Sequence, residues 1–202
     1  MADEEVTFTE AGKVATGFSF PYVAKYAASA GAITYSGAME LARGVNVTPS
    51  PTTSDENKFY ANNQEAESAG GKFTGGTVKL TVDGLLAKAE RFILGLPEAD
   101  SDGWTAYGDD AKAPYVGIGY ITRWMSGGVE SWQPTIIVKA KFQQPEKSAA
   151  TQEDAIDFQT QELTADMFRG DDAKHNWKYM GKDYATEAEA LDALKKKFGV
   201  TA

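Results

Sequence analysis

One stretch narrows the fold more than any other: Tyr115 to Trp124 runs through Ser126-Gly127-Gly128 into Ser131 to Gln143. In the second arm Pro134, Ile136, Val138, Ala140 and Phe142 alternate with Gln133, Thr135, Lys139, Lys141 and Gln143, and Ile137 alone breaks the polar set. Side chains alternate across a pleated strand, so a period of two held this long predicts a half-buried strand with the two sets on opposite faces. The first arm groups Val116, Ile118, Tyr120, Thr122 and Trp124 against Tyr115, Gly117, Gly119, Ile121 and Arg123. The paired glycines supply the positive φ of a tight hairpin turn. Strands of about ten residues exceed the usual five or six, and long hairpins build extended sheets and barrels.

A chain of 202 residues can bury one good core, with room for an appendage. Hydrophobic content of 42% and charged content of 24% are ordinary for a soluble globular protein. The lack of cysteine removes disulfides, thiolate nucleophiles and cysteine-ligated metals. A net charge of −9 and a pI near 4.7 set the surface against gripping phosphates. Solubility alone accounts for that charge, although repulsion also suits a surface past which nucleic acid must slide. The acidic start, Met1 to Glu5, has neither the basic nor the apolar region of a signal peptide, and no apolar run has the length of a membrane span. Synthesis and solubility in a cytoplasm, with no membrane partner, are the expectation.

Along the chain, residues 1–16 read as an N-terminal arm, and Thr16 to Val47 as two or three short strands broken by Gly17, Gly31 and Gly37. Residues 47–76 carry Pro49, Ser50, Pro51, Ser54, Asp55 and Asn57, then Gly70-Gly71 and Gly75-Gly76, and read as a long loop holding a short strand at Phe59-Tyr60-Ala61. A connection this long in a compact domain is usually functional or disordered. Thr77 to Val82 alternates cleanly, with Val78, Leu80 and Val82 opposite Thr77, Lys79 and Thr81. Asp83 is the expected cap of a helix with the stripe Leu85, Leu86, Ala89, Phe92, Ile93 and Leu96, ending at Gly95. Ala155 to Thr164 reads as a further strand anchored by Ile156 and Phe158. In residues 171–202, a C-terminal extension, Thr186 and Glu189 have capping-box spacing. The helix they open, 186–198, carries Leu191, Leu194 and Phe198 on its stripe, has Lys195 to Lys197 in its last turn and stops at Gly199. The pattern predicts a mostly β or α+β protein, a sandwich or barrel with one flanking helix and one C-terminal helix.

Chemistry is hard to find. His175 is the only histidine, in the polar run Asp171 to Asn176, and no Gly-x-Ser-x-Gly elbow accompanies it. Histidine- or cysteine-based metal sites are excluded by count. The pairs Asp100/Asp102, Asp109/Asp110 and Asp171/Asp172 lack the spacing of a calcium loop and read as solvated acidic loops. The double glycines lack the Lys-Ser/Thr of a phosphate loop. Trp104, Tyr107, Tyr115, Tyr120, Trp124 and Trp132 are candidates for a sugar groove, against the commoner use of strand aromatics as core or cross-strand pairs. No cofactor and no catalytic residue is expected.

An ordered series of segments resembles the major tail protein family of long-tailed phages of Gram-positive bacteria. Gly17-Phe18-Ser19-Phe20-Pro21-Tyr22-Val23-Ala24 resembles its opening strand, and Asn57-Lys58-Phe59-Tyr60-Ala61-Asn62-Asn63 its "xxLYADDxxxE" element. Gly76 to Val82 followed by Leu85 to Leu96 is similar to its strand and helix. Ala113-Pro114-Tyr115-Val116-Gly117-Ile118-Gly119-Tyr120 resembles "APYVALGF", the most specific match, and Ile156-Asp157-Phe158-Gln159-Thr160-Gln161-Glu162-Leu163 resembles "I-x-F-x-T-x-x-L". The resemblance covers roughly residues 17–170, the expected tail tube domain. It implies a β-sandwich-like tube protein without enzymatic activity. Such a protein forms stacked rings, usually hexameric, in the virion tail after assembly in the host cytoplasm. The implied partners are further copies of itself, a tape measure protein and tail initiator and terminator proteins, with DNA passing through rather than bound. The acidic N-terminus and the segment after Gly170 depart from the family pattern.

Within that expectation Pro49, Pro51, Phe59 and Tyr60 are candidates for contacts between rings. Thr77, Lys79, Thr81, Gln133, Thr135, Lys139 and Lys141 are candidates for the face that lines a channel. Two other classes stand beside this reading. One is a carbohydrate-binding β-sandwich of a receptor-binding appendage; the other is a hydrolase whose two carboxylates are hidden among 29 acids.

Overall fold

The structure, a computed structural model, describes residues 12–55, 57–61, 64–147 and 159–200. The strands are β1 (Val14–Ser29), β2 (Ala32–Glu40), β3 (Gly44–Thr53), β4 (Asn57–Ala61), β5 (Gln64–Ala69), β6 (Phe73–Val82), β7 (Val116–Ser126), β8 (Val129–Phe142), β9 (Gln161–Phe168) and β10 (Lys178–Met180), with helices α1 (Ala87–Leu94) and α2 (Glu187–Lys197). Seven strands form one antiparallel path, β2-β1-β7-β8-β9-β6-β3, to which β10 adds along β8; β4 and β5 make a two-stranded sheet of their own. The path curls. Leu41 N–H donates to the Pro21 carbonyl at 2.8 Å, and the Phe18 ring lies so close to Gly44 that a Cβ there would meet it at 2.1 Å. The mostly β architecture with flanking helices is as the residue pattern predicts.

The long hairpin is present as β7 and β8, with Gly127 and Gly128 both at positive φ in its turn. Its regular alternation is not. Val116 pairs with Ala140, whereas Ile118 pairs with Ile137, so Val138 and Lys139 together oppose a single residue of β7. This is a β-bulge, and an extra residue swaps the faces of everything beyond it. Before the bulge odd-numbered Ile137 joins the main core while even-numbered Ile136 joins the second; after it the even residues Ala140 and Phe142 join the main core. Ile137, the one misfit in the polar set, marks where the two patterns meet.

Two cores result. The main one gathers Val23, Leu41, Val78, Leu80, Val82, Ile118, Ile137, Leu163 and Met167 under Ala89 and Ile93 of α1. The second lies on the other side of β7 and β8, where Ala24, Ile121 and Ile136 are covered by Ala190 and Leu194 of α2 and by Phe198 just beyond it. Gly117 and Gly119 leave room for this: a Cβ on either would strike the Phe198 ring at 3.0 and 2.6 Å. The Thr186 hydroxyl accepts from Glu189 N–H at 3.3 Å, as the capping-box spacing predicts.

Two expectations are corrected, and a third is met in part. Residues 47–76 are largely strand rather than loop: β3 pairs with β6 from Gly44↔Val82 to Thr53↔Phe73, and Asn57↔Ala69 to Ala61↔Gln64 follow as β4 and β5. Pro49 and Pro51 obscured this, yet β3 is an edge strand, where a residue without an N–H can point its missing donor away from the ladder. Asp83 does not cap α1. It accepts from Arg43 N–H at 3.1 Å and binds that guanidinium, while Leu86 occupies the N-cap position and Leu85 N–H is satisfied by Gln161 Oε1 at 3.3 Å. Of the strand expected at 155–164, residues 161–164 lie in β9, which continues to Phe168, and residues 155–158, with Ile156 and Phe158, lie outside the described residues.

Candidate functional site

The face of the sheet that turns away from the main core is built by four strands. On β6 Val78, Leu80 and Val82 are buried, so the pleat sends Thr77, Lys79 and Thr81 the other way. Register extends this row to Ser50, Thr48 and Asn46 of β3 on one side and to Asp166, Thr164 and Glu162 of β9 on the other. Lys141 of β8 then stands opposite Asp166, and Gln143 Nε2 donates to Asp166 Oδ1 at 3.0 Å. Lys79 Nζ meets Glu162 Oε1 at 3.0 Å. Two lysines and two carboxylates among hydroxyls and amides leave this face polar but without net charge. The exposed Lys79–Glu162 pair adds little stability, about 0–1 kcal/mol. Its effect is to cancel charge locally.

The structure divides the candidate channel residues. Thr77, Lys79, Thr81 and Lys141 share this face. Gln133 and Thr135 do not, because they precede the bulge: Thr135 is only 5% exposed and pairs directly with Tyr120 in the main core. Gln133 Nε2 instead donates to the Gly181 carbonyl at 3.1 Å, tying β8 to the turn after β10. Lys139 lies in the bulge and is drawn in. Its ammonium binds Asp171 Oδ2 at 2.8 Å and lies 4.6 and 5.2 Å from the Tyr115 and Tyr26 ring centroids. Tyr26 Oη also donates to Asp171 Oδ2, at 2.9 Å. Of the candidate ring contacts, Pro49 and Pro51 stand on edge strand β3, and Phe59 and Tyr60 on β4, which is described by its backbone pairing alone.

Asn46, Thr48, Ser50, Glu162, Thr164 and Asp166 complete the polar face without having been singled out from sequence. For β9 the signal was there, since Leu163, Ala165 and Met167 alternate with Glu162, Thr164 and Asp166. For β3 the prolines and serine carried the opposite message.

The hydrogen bond from Lys139, reinforced by Tyr26, holds the Asp171 carboxyl below the usual carboxylate range. A depressed folded value means that the pair's stabilisation is present above the unfolded value of about 3.9 and is lost as pH falls through the folded one. Carboxyl titration followed by NMR should therefore find Asp171 among the low-titrating groups, and Lys139→Met should raise its midpoint. An unmoved midpoint would mean that Lys139 does not stabilise the carboxylate.

Elsewhere the polar groups serve the fold. Asp100 Oδ1 accepts from Trp104 and Asp102 N–H at 2.8 and 3.0 Å, closing its own turn. Buried Glu90 of α1 takes the Tyr107 hydroxyl and the Lys147 ammonium, each at 2.7 Å, so two loops are fastened to one helix. His175 Nδ1 lies 3.1 Å from the Gly170 carbonyl. Among the described residues no three histidines, cysteines or acids are grouped to hold a metal. The six aromatics do not gather in one groove: Tyr120 is in the core, Trp124 lies beneath the Lys13 ammonium, Tyr115 packs on Phe168, and Trp104 is 77% exposed. No helix among the described residues is long and apolar enough to cross a membrane. No protein-family model matches this sequence, and no curated protein matches it.

Proposed function

We propose that this chain is a structural subunit that polymerises as stacked, hexameric rings into the tail tube of a long-tailed phage, with the polar face of β3, β6, β9 and β8 lining the conduit for DNA. That face carries the reading. It is broad, polar along the paired rows of β3, β6 and β9 from Asn46 and Glu162 to Ser50 and Asp166, and charge-balanced, which suits a wall that duplex DNA must pass without being held. Each phosphate neutralised by a fixed cation would release counterions, strengthen binding and slow passage. The sheet has two ends, β2 and β3, and repetition around a closed ring gives such edges a partner. The family-like segments support the same reading by their order and by lying on β1, β4, β6 with α1, and β7. On this reading the tape measure protein would occupy the same channel before ejection, and initiator and terminator proteins would bound the stack.

Negative-stain electron microscopy of concentrated protein tests the proposal: rings or tubes with a central hole are expected. Sedimentation that finds only monomer at high concentration, even with an initiator complex present, would overturn it. A finer test concerns β4 and β5. Because Thr53 pairs with Phe73, joining these residues through an Asn-Gly turn removes the small sheet without breaking the β3–β6 ladder. The shortened chain should stay folded by circular dichroism yet fail to elongate. Tubes of normal length from it would remove β4 and β5 from the contacts between rings.

A further inference from the structure

A groove of about 290 Å³ runs between α2 and β10, with Pro134, Ile136, Tyr179, Met180, Tyr184 and Leu194 along it. Its surface is mainly apolar, and Met180 at its edge is 54% exposed. Two lysines stand over its aromatic walls: Lys197 lies 4.7 Å from the Tyr179 ring centroid and Lys182 lies 5.1 Å from that of Tyr184. Neither has a carboxylate partner among the described residues. The described chain begins beside this groove, because Lys13 Nζ binds Asp183 Oδ1 at 2.6 Å and Asp183 adjoins Tyr184. Residues 1–11 precede it, and at roughly 3.3 Å per residue they can reach about 36 Å.

We propose that this groove is the docking site of the chain's own N-terminal segment, Asp3 to Thr9. The segment has the matching chemistry. Asp3, Glu4 and Glu5 offer the carboxylates that Lys182 and Lys197 lack. In an extended segment Val6 and Phe8 fall on one side, with Glu5, Thr7 and Thr9 on the other. Phe8 and Val6 cover the apolar floor, and the acids meet the lysines at its rim. The short tether makes docking within one subunit far more probable at low concentration than exchange between subunits, since it sets a high effective concentration.

The test uses the absence of native cysteine. The full chain carrying Phe8→Cys and Ala193→Cys, oxidised at low concentration, should run on a non-reducing gel as a crosslinked monomer. Adding Lys182→Glu and Lys197→Glu should slow crosslinking at least fivefold. Moving the first cysteine to the opposite side of the segment, as Thr7→Cys, should slow it similarly. Should the first pair unfold the protein by circular dichroism, Val6→Cys with Met180→Cys replaces it. A ladder of crosslinked dimers would assign the groove to the segment of a second copy and overturn the proposal. Absence of crosslinking, or a rate indifferent to the lysines and to the side of the segment, would overturn it as well.

Discussion

Replacing Phe198 by Ala should destabilise the protein by about 3–5 kcal/mol, the usual cost of emptying a buried aromatic site. The ring is 1% exposed and lies over Gly117 and Gly119, edge-on to Tyr35 at 5.0 Å between centroids. The backbone beneath cannot move up to fill the space, because β7 is held on both edges by β1 and β8. A loss of this size is a large part of the roughly 5–15 kcal/mol that holds a typical domain together. Truncation after Gly181 should be worse, since it strips the cover from Ala24, Ile121 and Ile136 and leaves an apolar sheet face in water. Urea unfolding measures the first effect, and soluble yield with dye binding measures the second. A Phe198→Ala protein within 1 kcal/mol of the parent would show that α2 is not part of the folded unit.

Thr81→Arg and Thr135→Arg should behave as opposites, although both residues stand in the polar rows of the sequence. Thr135 pairs with Tyr120, and each is only 5% exposed, so the site is closed to solvent. An arginine there carries a charge with no partner into the main core. The expected cost is on the order of 3–5 kcal/mol, enough to unfold many domains. Thr81 is half-buried beside Glu162 on the polar face, outside the core, where a substitution shifts stability by about 0.5 kcal/mol. The Thr81→Arg subunit should therefore fold and assemble, and, with the proposed lining, impair DNA delivery by finished particles. Thermal melts of the two variants separate the faces directly. Equal melting temperatures would contradict the bulge, and undiminished delivery by Thr81→Arg would remove β6 from the channel wall.

What could be read from the residues followed local physics. The hairpin, the clean alternation of Thr77 to Val82 and the capping pair Thr186 and Glu189 each state their structure within a few positions. The bulge at Val138 and Lys139 is of another kind. Its evidence in the sequence is one misplaced Ile137, and only the pairing of Val116 with Ala140 and Ile118 with Ile137 explains it. Thr77, Lys79, Thr81 and Lys141 are therefore legible as one face, whereas the bulge puts Gln133 and Thr135 on the other side of the sheet. β3 was missed because proline and serine speak for turns, while an edge strand tolerates them. The Lys139 position was missed for a different reason: Tyr26, Tyr115 and Asp171 come from three distant parts of the chain, and no local pattern announces their meeting.

The second core also sets an order on synthesis. Its sheet side is complete once Ile136 has been made, but its cover, Ala190, Leu194 and Phe198, is made only after β9 and β10. A nascent chain can pair its strands in order as they emerge, yet it holds a bare apolar face until α2 has left the ribosome. Chains stopped between β8 and α2 thus differ from longer ones across a whole surface.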